Sequence, residues 1–242
     1  MDPLYQTKIQ CICCESSFMT SRVRPSFKKA MTTDTDFCGY YKNNVNPDYY
    51  VARICPSCGF ASTENGIDRL NDRQRKAYLD EIGGRWISRD YGGERNAAEA
   101  MATYKLALLT AQAIGEKQRV IAGILHHIAW LYRYEQAKAD EQRFLRFALQ
   151  AYIKVYEGEG SELNNAKLMY IIGELNRRTG QLNEAVKWFS RIVNDKRIMD
   201  AAMIRASREQ WQLIREEMTT GTKENPGGEL LQEDRIPVET TA

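Results

Sequence analysis

AKLMYIIGELNRRTGQLNEAVKWFSRIV, residues 166–193, is the stretch whose periodicity decides the fold. In its second half Leu182, Ala185, Val186, Phe189, Ile192 and Val193 recur at intervals of three and four and therefore share one helix face. Its first half, AKLMYIIGELNRR, forms a second helix that stops at Thr179-Gly180. Two helices joined across so short a glycine turn must lie antiparallel, as a helical hairpin.

Gly173, then Ala185 twelve residues on, then Phe189 four further, match the tetratricopeptide pattern, in which small residues let the helices approach and an aromatic fills the seam. Asn176 and Arg197 stand where that pattern usually has an aromatic and a proline. A weaker copy lies upstream, with Ala129 and Tyr132 in HHIAWLYR followed by Ala148 and Tyr152 in FALQAYIKVY; its wider spacing predicts a longer turn between the helices. NAAEAMATYKLALLTAQAIG repeats the relation through Ala100, Tyr104 and Ala107, and MDAAMIRASREQWQLIREEM can cap the far end. No proline interrupts residues 94–218, so a domain of about five helices in a short, irregular solenoid is expected there. The polar, acidic stretch 219–242 reads as a disordered tail.

The composition changes near residue 66: all 6 cysteines lie at or before Cys58, and all 4 tryptophans lie beyond it. Residues 1–66 carry Pro25, Pro47 and Pro56 with short β-prone runs such as FMTSRVR and DYYVARI, and read as a small β-rich module. LNDRQRKAYLDEIGG and RWISRDYGG, within residues 67–93, read as a helix and a linker. The expected fold class is thus mainly α: a small zinc-ribbon-like N-terminal module followed by a tetratricopeptide-like helical array.

Cys55-Pro56-Ser57-Cys58-Gly59 has the form of a zinc knuckle, in which both sulfurs face one ion and the glycine turns the chain beneath it. A structural zinc needs four ligands, and among the remaining cysteines only Cys11 and Cys14 share the spacing. One structural Zn2+ on Cys11, Cys14, Cys55 and Cys58 is therefore expected, contributing about 10–16 kcal/mol to folding. Residues 15–54 between the knuckles exceed the usual ribbon spacing, so a further hairpin containing MTTDTDFCGYY is inserted there. Glu15 replaces the glycine that follows the second knuckle. Cys13 and Cys38 read as small buried hydrophobes, with substitute ligation as the alternative. A dithiol redox centre is the competing reading of both pairs, but CPSCGFAST lacks the strand-to-helix setting of that motif.

The balance of 34 Lys and Arg against 32 Asp and Glu excludes a global field for nucleic acid or anionic lipid. No apolar run is long enough for a membrane span and the N-terminus lacks a signal-peptide profile, so a cytoplasmic protein is expected. His126 and His127 are adjacent, hence about 100 degrees apart on a helix, and cannot jointly hold one metal. No phosphate loop or acid–base pair stands out, and the chain reads as not an enzyme.

The order C-x-x-C, D-T-D-F-C-G-Y-Y-K, C-P-S-C-G-F-A and a helical array ending in ASREQWQLIREE resembles a bacterial family of unknown function, number 2225, over about Cys11 to Met218. YYKNNVNPDYY and DKRIMDAA are also similar to its stretches. The resemblance implies the same zinc-ribbon-like and tetratricopeptide-like parts and supplies no activity.

The leading expectation is a scaffold whose helical groove binds a protein or peptide partner. In the best repeat Lys167, Tyr170, Glu174, Arg177 and Arg178 turn away from the seam, and upstream His126, Trp130, Arg133 and Tyr134 do so. An aromatic, arginine-bearing groove suits an acidic peptide or a C-terminal carboxylate. The alternative is that Trp130 and the tyrosines are packing and the arginines a solvated face. Nucleic-acid binding by the ribbon through Arg22, Arg24, Lys28 and Lys29 on one β segment is the second reading, although residues 1–66 are nearly charge-balanced.

Overall fold

A computed structural model describes residues 2–42, 45–159 and 165–224. Its N-terminal part contains three antiparallel hairpins: β1 (Leu4–Gln10) with β2 (Ser17–Val23), β3 (Thr32–Thr33) with β4 (Gly39–Tyr40), and β5 (Arg53–Ile54) with β6 (Ala61–Ser62). Helices follow: α1 (Asp72–Glu81), α2 (Ala97–Ala113), α3 (Gln118–Tyr134), α4 (Lys138–Glu159), α5 (Ala166–Arg178), α6 (Leu182–Asn194) and α7 (Ala201–Glu224). The array from α2 to α7 thus has one helix more than expected. The stretch expected to be disordered from residue 219 continues α7 to Glu224, and residues 225–242 lie outside the described residues. DYYVARI is extended only at its end. The Asn46 side chain accepts from the Asp48 amide at 2.9 Å and the Pro47 ring fixes its own φ at the first position of the turn, so residues 47–50 coil into a 3-10 turn despite their β propensity.

Three helix connections close alike. After α2, α3 and α5 a residue with positive φ (Gly115, Gln136, Gly180) donates to a carbonyl three residues back. The next amide then reaches back five, as in Ala137 N to Tyr132 O at 2.9 Å and Gln181 N to Asn176 O at 2.8 Å. The α3–α4 connection, residues 135–137, is therefore as short as the α5–α6 connection, residues 179–181. The wider upstream spacing lies in α4, which starts ten residues before Ala148, whereas α6 starts three before Ala185. The extra residues add about two turns to the start of α4 rather than lengthening a loop. Gln136 concealed this turn, because it takes the left-handed conformation without being glycine.

Each helix from α2 onward packs on its sequence neighbour. At the α5–α6 seam a Cβ on Gly173 would meet Phe189 Cε1 at 2.8 Å, so only glycine permits this approach. The N-terminal module shares a core with the helices: Ala52, Ile54 and Ala61 lie in one cluster with Ala100, Tyr104, Ala107 and Ile128. Buried Arg95 fastens the junction, donating to the carbonyls of Tyr91 (2.8 Å), Tyr49 (3.0 Å) and Ala52 (2.7 Å). Among the described residues no helix is long and apolar enough to cross a membrane.

Gly173→Val should destabilise the protein by about 1–3 kcal/mol, since a branched side chain must displace the Phe189 ring. Urea unfolding followed by far-UV circular dichroism measures the loss.

Candidate metal centre and the helical face

The two knuckles have the same backbone despite their different sequences. Glu15 N donates to Cys11 O at 2.9 Å and Cys11 N to Ser16 O at 2.9 Å; correspondingly, Gly59 N donates to Cys55 O at 2.8 Å and Cys55 N to Phe60 O at 3.0 Å. Glu15 adopts φ 63° where Gly59 adopts φ 75°, so the first knuckle turns as the second does, with a residue for which that turn costs about 1–2 kcal/mol. Gly59 cannot be replaced in the same way, because a Cβ there would meet Trp86 Cδ2 at 2.4 Å.

The turns bring the sulfurs of Cys11, Cys14, Cys55 and Cys58 within 4.8 Å of one another. Cys11 and Cys58 Sγ are 3.6 Å apart, as are Cys14 and Cys55 Sγ. Tetrahedral ligation with metal–sulfur bonds of about 2.3 Å needs sulfurs about 3.8 Å apart, so this set fits one metal ion. The contact with Cys58 pulls the Cys11 thiol down to about 5; the same contact and burial push Cys58 up, and burial pushes Cys55 up. Cys13 and Cys38 are outside the cluster. Burial raises both thiols, Cys38 to about 12, and Cys38 Sγ donates to the Tyr134 hydroxyl at 3.4 Å.

The segment expected to be a helix and linker forms a wall for this centre. Tyr78 of α1 donates its hydroxyl proton to Cys58 O at 2.7 Å and packs edge-on against Phe60 at 4.9 Å, while Trp86 Nε1 donates to Pro56 O at 2.9 Å. The sequence reading missed both residues.

The second constellation is the inner face of α3 and α5. It was expected to be an open groove; instead it lies beneath the chain's own β3–β4 hairpin. Buried Asp36, from the tip, receives Arg133 Nη1 on Oδ1 at 2.9 Å, and on Oδ2 Arg133 Nη2 at 2.7 Å, Trp130 Nε1 at 3.1 Å and His126 Nε2 at 3.3 Å. Arg178 stands 3.5 Å away. Arg133 also binds Asp34 and Glu141, each at 2.7 Å. Tyr134 places its hydroxyl 2.8 Å from Gly39 O and 2.9 Å from Asp48 Oδ2.

On α5, Tyr170 donates to Thr35 O at 3.0 Å and Arg178 to Thr35 Oγ1 at 3.0 Å, and Thr35 Oγ1 donates to buried Glu174. Arg177 reaches both Glu174 and Thr35, and exposed Lys167 lies over the Phe37 ring at 4.9 Å. Every predicted groove residue therefore touches residues 34–39. The sequence holds both halves of this contact: the carboxylates of D-T-D at 34–36 and an arginine- and indole-bearing face that suits carboxylates.

Burial pushes the Asp36 carboxyl up, but the bonds from Arg133 and His126 outweigh it and hold the group well below the usual carboxylate range. Burial drives His126 toward its neutral form despite Asp36. Phe37 completes the tip at φ 69°, packed 5.7 Å from the Tyr170 ring.

The basic residues considered for nucleic acid do not share one strand. β2 ends at Val23, and the 3-10 turn Pro25–Phe27 separates Lys28 and Lys29 from Arg22 and Arg24. Arg22 pairs with Glu64, and Arg24 donates to Asp2 O at 3.0 Å.

Fold and site together define a mainly helical protein with a four-cysteine module able to hold one metal ion. Over residues 4–214 the chain matches, and belongs to, the family described as an uncharacterised protein conserved in bacteria (DUF2225). No curated protein and no solved structure matches it.

Cys14→Ser should lose stoichiometric metal and Cys13→Ser should retain it, as read by elemental analysis of the purified variants. Asp36→Ala should cost about 3–5 kcal/mol at neutral pH, because it removes the buried carboxylate that Arg133, Trp130 and His126 share and leaves the last two without that acceptor. For Asp36→Asn the sign follows from the depressed folded-state pKa. The wild-type advantage is complete above the unfolded value of about 3.9 and shrinks as pH falls below it, which urea titrations across pH 3–7 would measure.

Proposed function

We propose that the protein is a non-enzymatic cytosolic scaffold, stabilised by one structural zinc ion, that binds a protein partner through the inner face of its tetratricopeptide-like helices. Zinc is the ion that four converging thiolates with tetrahedral spacing suit best, and such a closed set leaves no position for a catalytic water. The observation supporting the partner reading is the occupied face itself. Its side chains make a receptor for an acidic turn, with paired donors for one carboxylate and a cation over the following aromatic ring. A partner entering there presents the same chemistry and competes with residues 34–39 of the chain.

The test uses the full chain with residues 33–39 replaced by a glycine-serine linker and a fluorescent peptide of residues 31–41. Fluorescence anisotropy should show saturable binding to this variant and none to the wild type, and Asp36→Asn in the peptide should weaken it at least about tenfold. A variant that keeps its helicity and zinc but ignores the peptide would overturn the reading.

A further inference from the structure

We propose that the cleft between the β1–β2 hairpin and the loop after β6 binds a small organic monocarboxylate with an apolar body, and that Arg53 pairs with its carboxylate. The cleft has a volume of about 210 Å3, below the range of about 300–1,000 Å3 of sites for drug-sized ligands, so it suits a short aliphatic or aromatic acid. Ile9, Phe18, Phe60 and Ile67 give it apolar walls. The loop that closes it is already fixed: Glu116 accepts from the Ile67 amide at 2.8 Å, and Thr63 O accepts from the Gly66 amide at 3.3 Å.

Arg53 is the observation that points to a ligand. It lines the cleft from β5, opposite Ser62 of β6, and is half-buried. Its Nε is buried and meets no hydrogen-bond acceptor, and among the described residues its guanidinium forms neither an ion pair nor a side-chain hydrogen bond. The neighbouring charge that acts on it is a second cation, Arg22. A guanidinium withdrawn from water without an acceptor is unfavourable. Arg133 and Arg95 avoid this, the first with Asp34, Asp36 and Glu141, the second with the carbonyls of Tyr49, Ala52 and Tyr91. An incoming carboxylate would supply the acceptor that Arg53 lacks and offset the repulsion from Arg22.

Two carboxylates of the chain also line the cleft, and neither pairs with Arg53: Glu64 is engaged with Arg22, and Asp68 is exposed. The hydroxyls of Ser62 and Thr63 donate no hydrogen bond among the described residues, so they are available to the second oxygen of a bound carboxylate. One cation among apolar walls selects an acid with a hydrophobic body over a bare inorganic ion. The rival role for Arg53 is to balance the thiolates of the metal centre, since Cys55 follows two residues on and Cys11 also lines the cleft.

The experiment titrates the zinc-loaded full chain, isotopically labelled at nitrogen, with hexanoate and follows it by NMR. The Arg53 Nε–H resonance, identified by its loss in Arg53→Gln, should shift saturably as it gains an acceptor, together with the Ser62 and Thr63 amides. Hexanamide, which keeps the shape without the charge, and acetate, which keeps the charge without the apolar body, should each bind at least about tenfold more weakly. Arg53→Gln should retain zinc and weaken hexanoate at least about tenfold. Should that variant fail to fold, the comparison of the three ligands on the wild type decides. No saturable shift, or hexanamide or acetate binding as tightly as hexanoate, would overturn the proposal. So would loss of zinc from Arg53→Gln with hexanoate binding unchanged, which would assign Arg53 to the thiolates instead.

Discussion

A buried carboxylate in a protein interior costs several kcal/mol unless its charge and lone pairs are matched, and Asp36 is matched on every side. Arg133 grips it with two parallel bonds, the indole and imidazole of α3 add two more, and Arg178 of α5 approaches from the next helix. The match works in both directions, since the same carboxylate neutralises the guanidinium charge that α3 would otherwise bury. The tip of one short hairpin thereby bridges α3 and α5 and ties both to the four-cysteine module.

That module is joined to the helices at two further places. Arg95 holds three carbonyls of the 49–52 and 91 segments at the start of α2, and α1 with Trp86 walls the second knuckle. The cysteine cluster is thus embedded at a junction. A change in the position of either knuckle reaches the helical core through Ile54 and Ala61, which flank the second cysteine pair and lie in that core.

The helical hairpin of α5 and α6 was legible because Gly173, Ala185 and Phe189 constrain one another by size, and size is written in the sequence. The cysteine set was legible for a similar reason: ligand spacing is a local property. What was not legible is long-range. Nothing local in D-T-D-F states that it lies under α3 and α5, about a hundred residues away, so the arginines and tryptophan of that face read as an open groove. Backbone conformation was the other blind spot. Glu15 and Gln136 both take left-handed φ values that are usually assigned to glycine, and each concealed a turn whose hydrogen bonds match those of its glycine-bearing counterpart.

Residues 15–54 leave one knuckle and return to the other with Asp36 near the middle of their course. Metal capture would close this stretch into a ring before any helix contact is made, and closing a ring shortens the search each of its residues must perform. Asp36 and Arg133 stand 97 positions apart in the chain, a contact of the slow, non-local kind. A metal held there would therefore bear on the order of assembly as well as on final stability, with the hairpin tip then presenting α3 and α5 with one shared carboxylate.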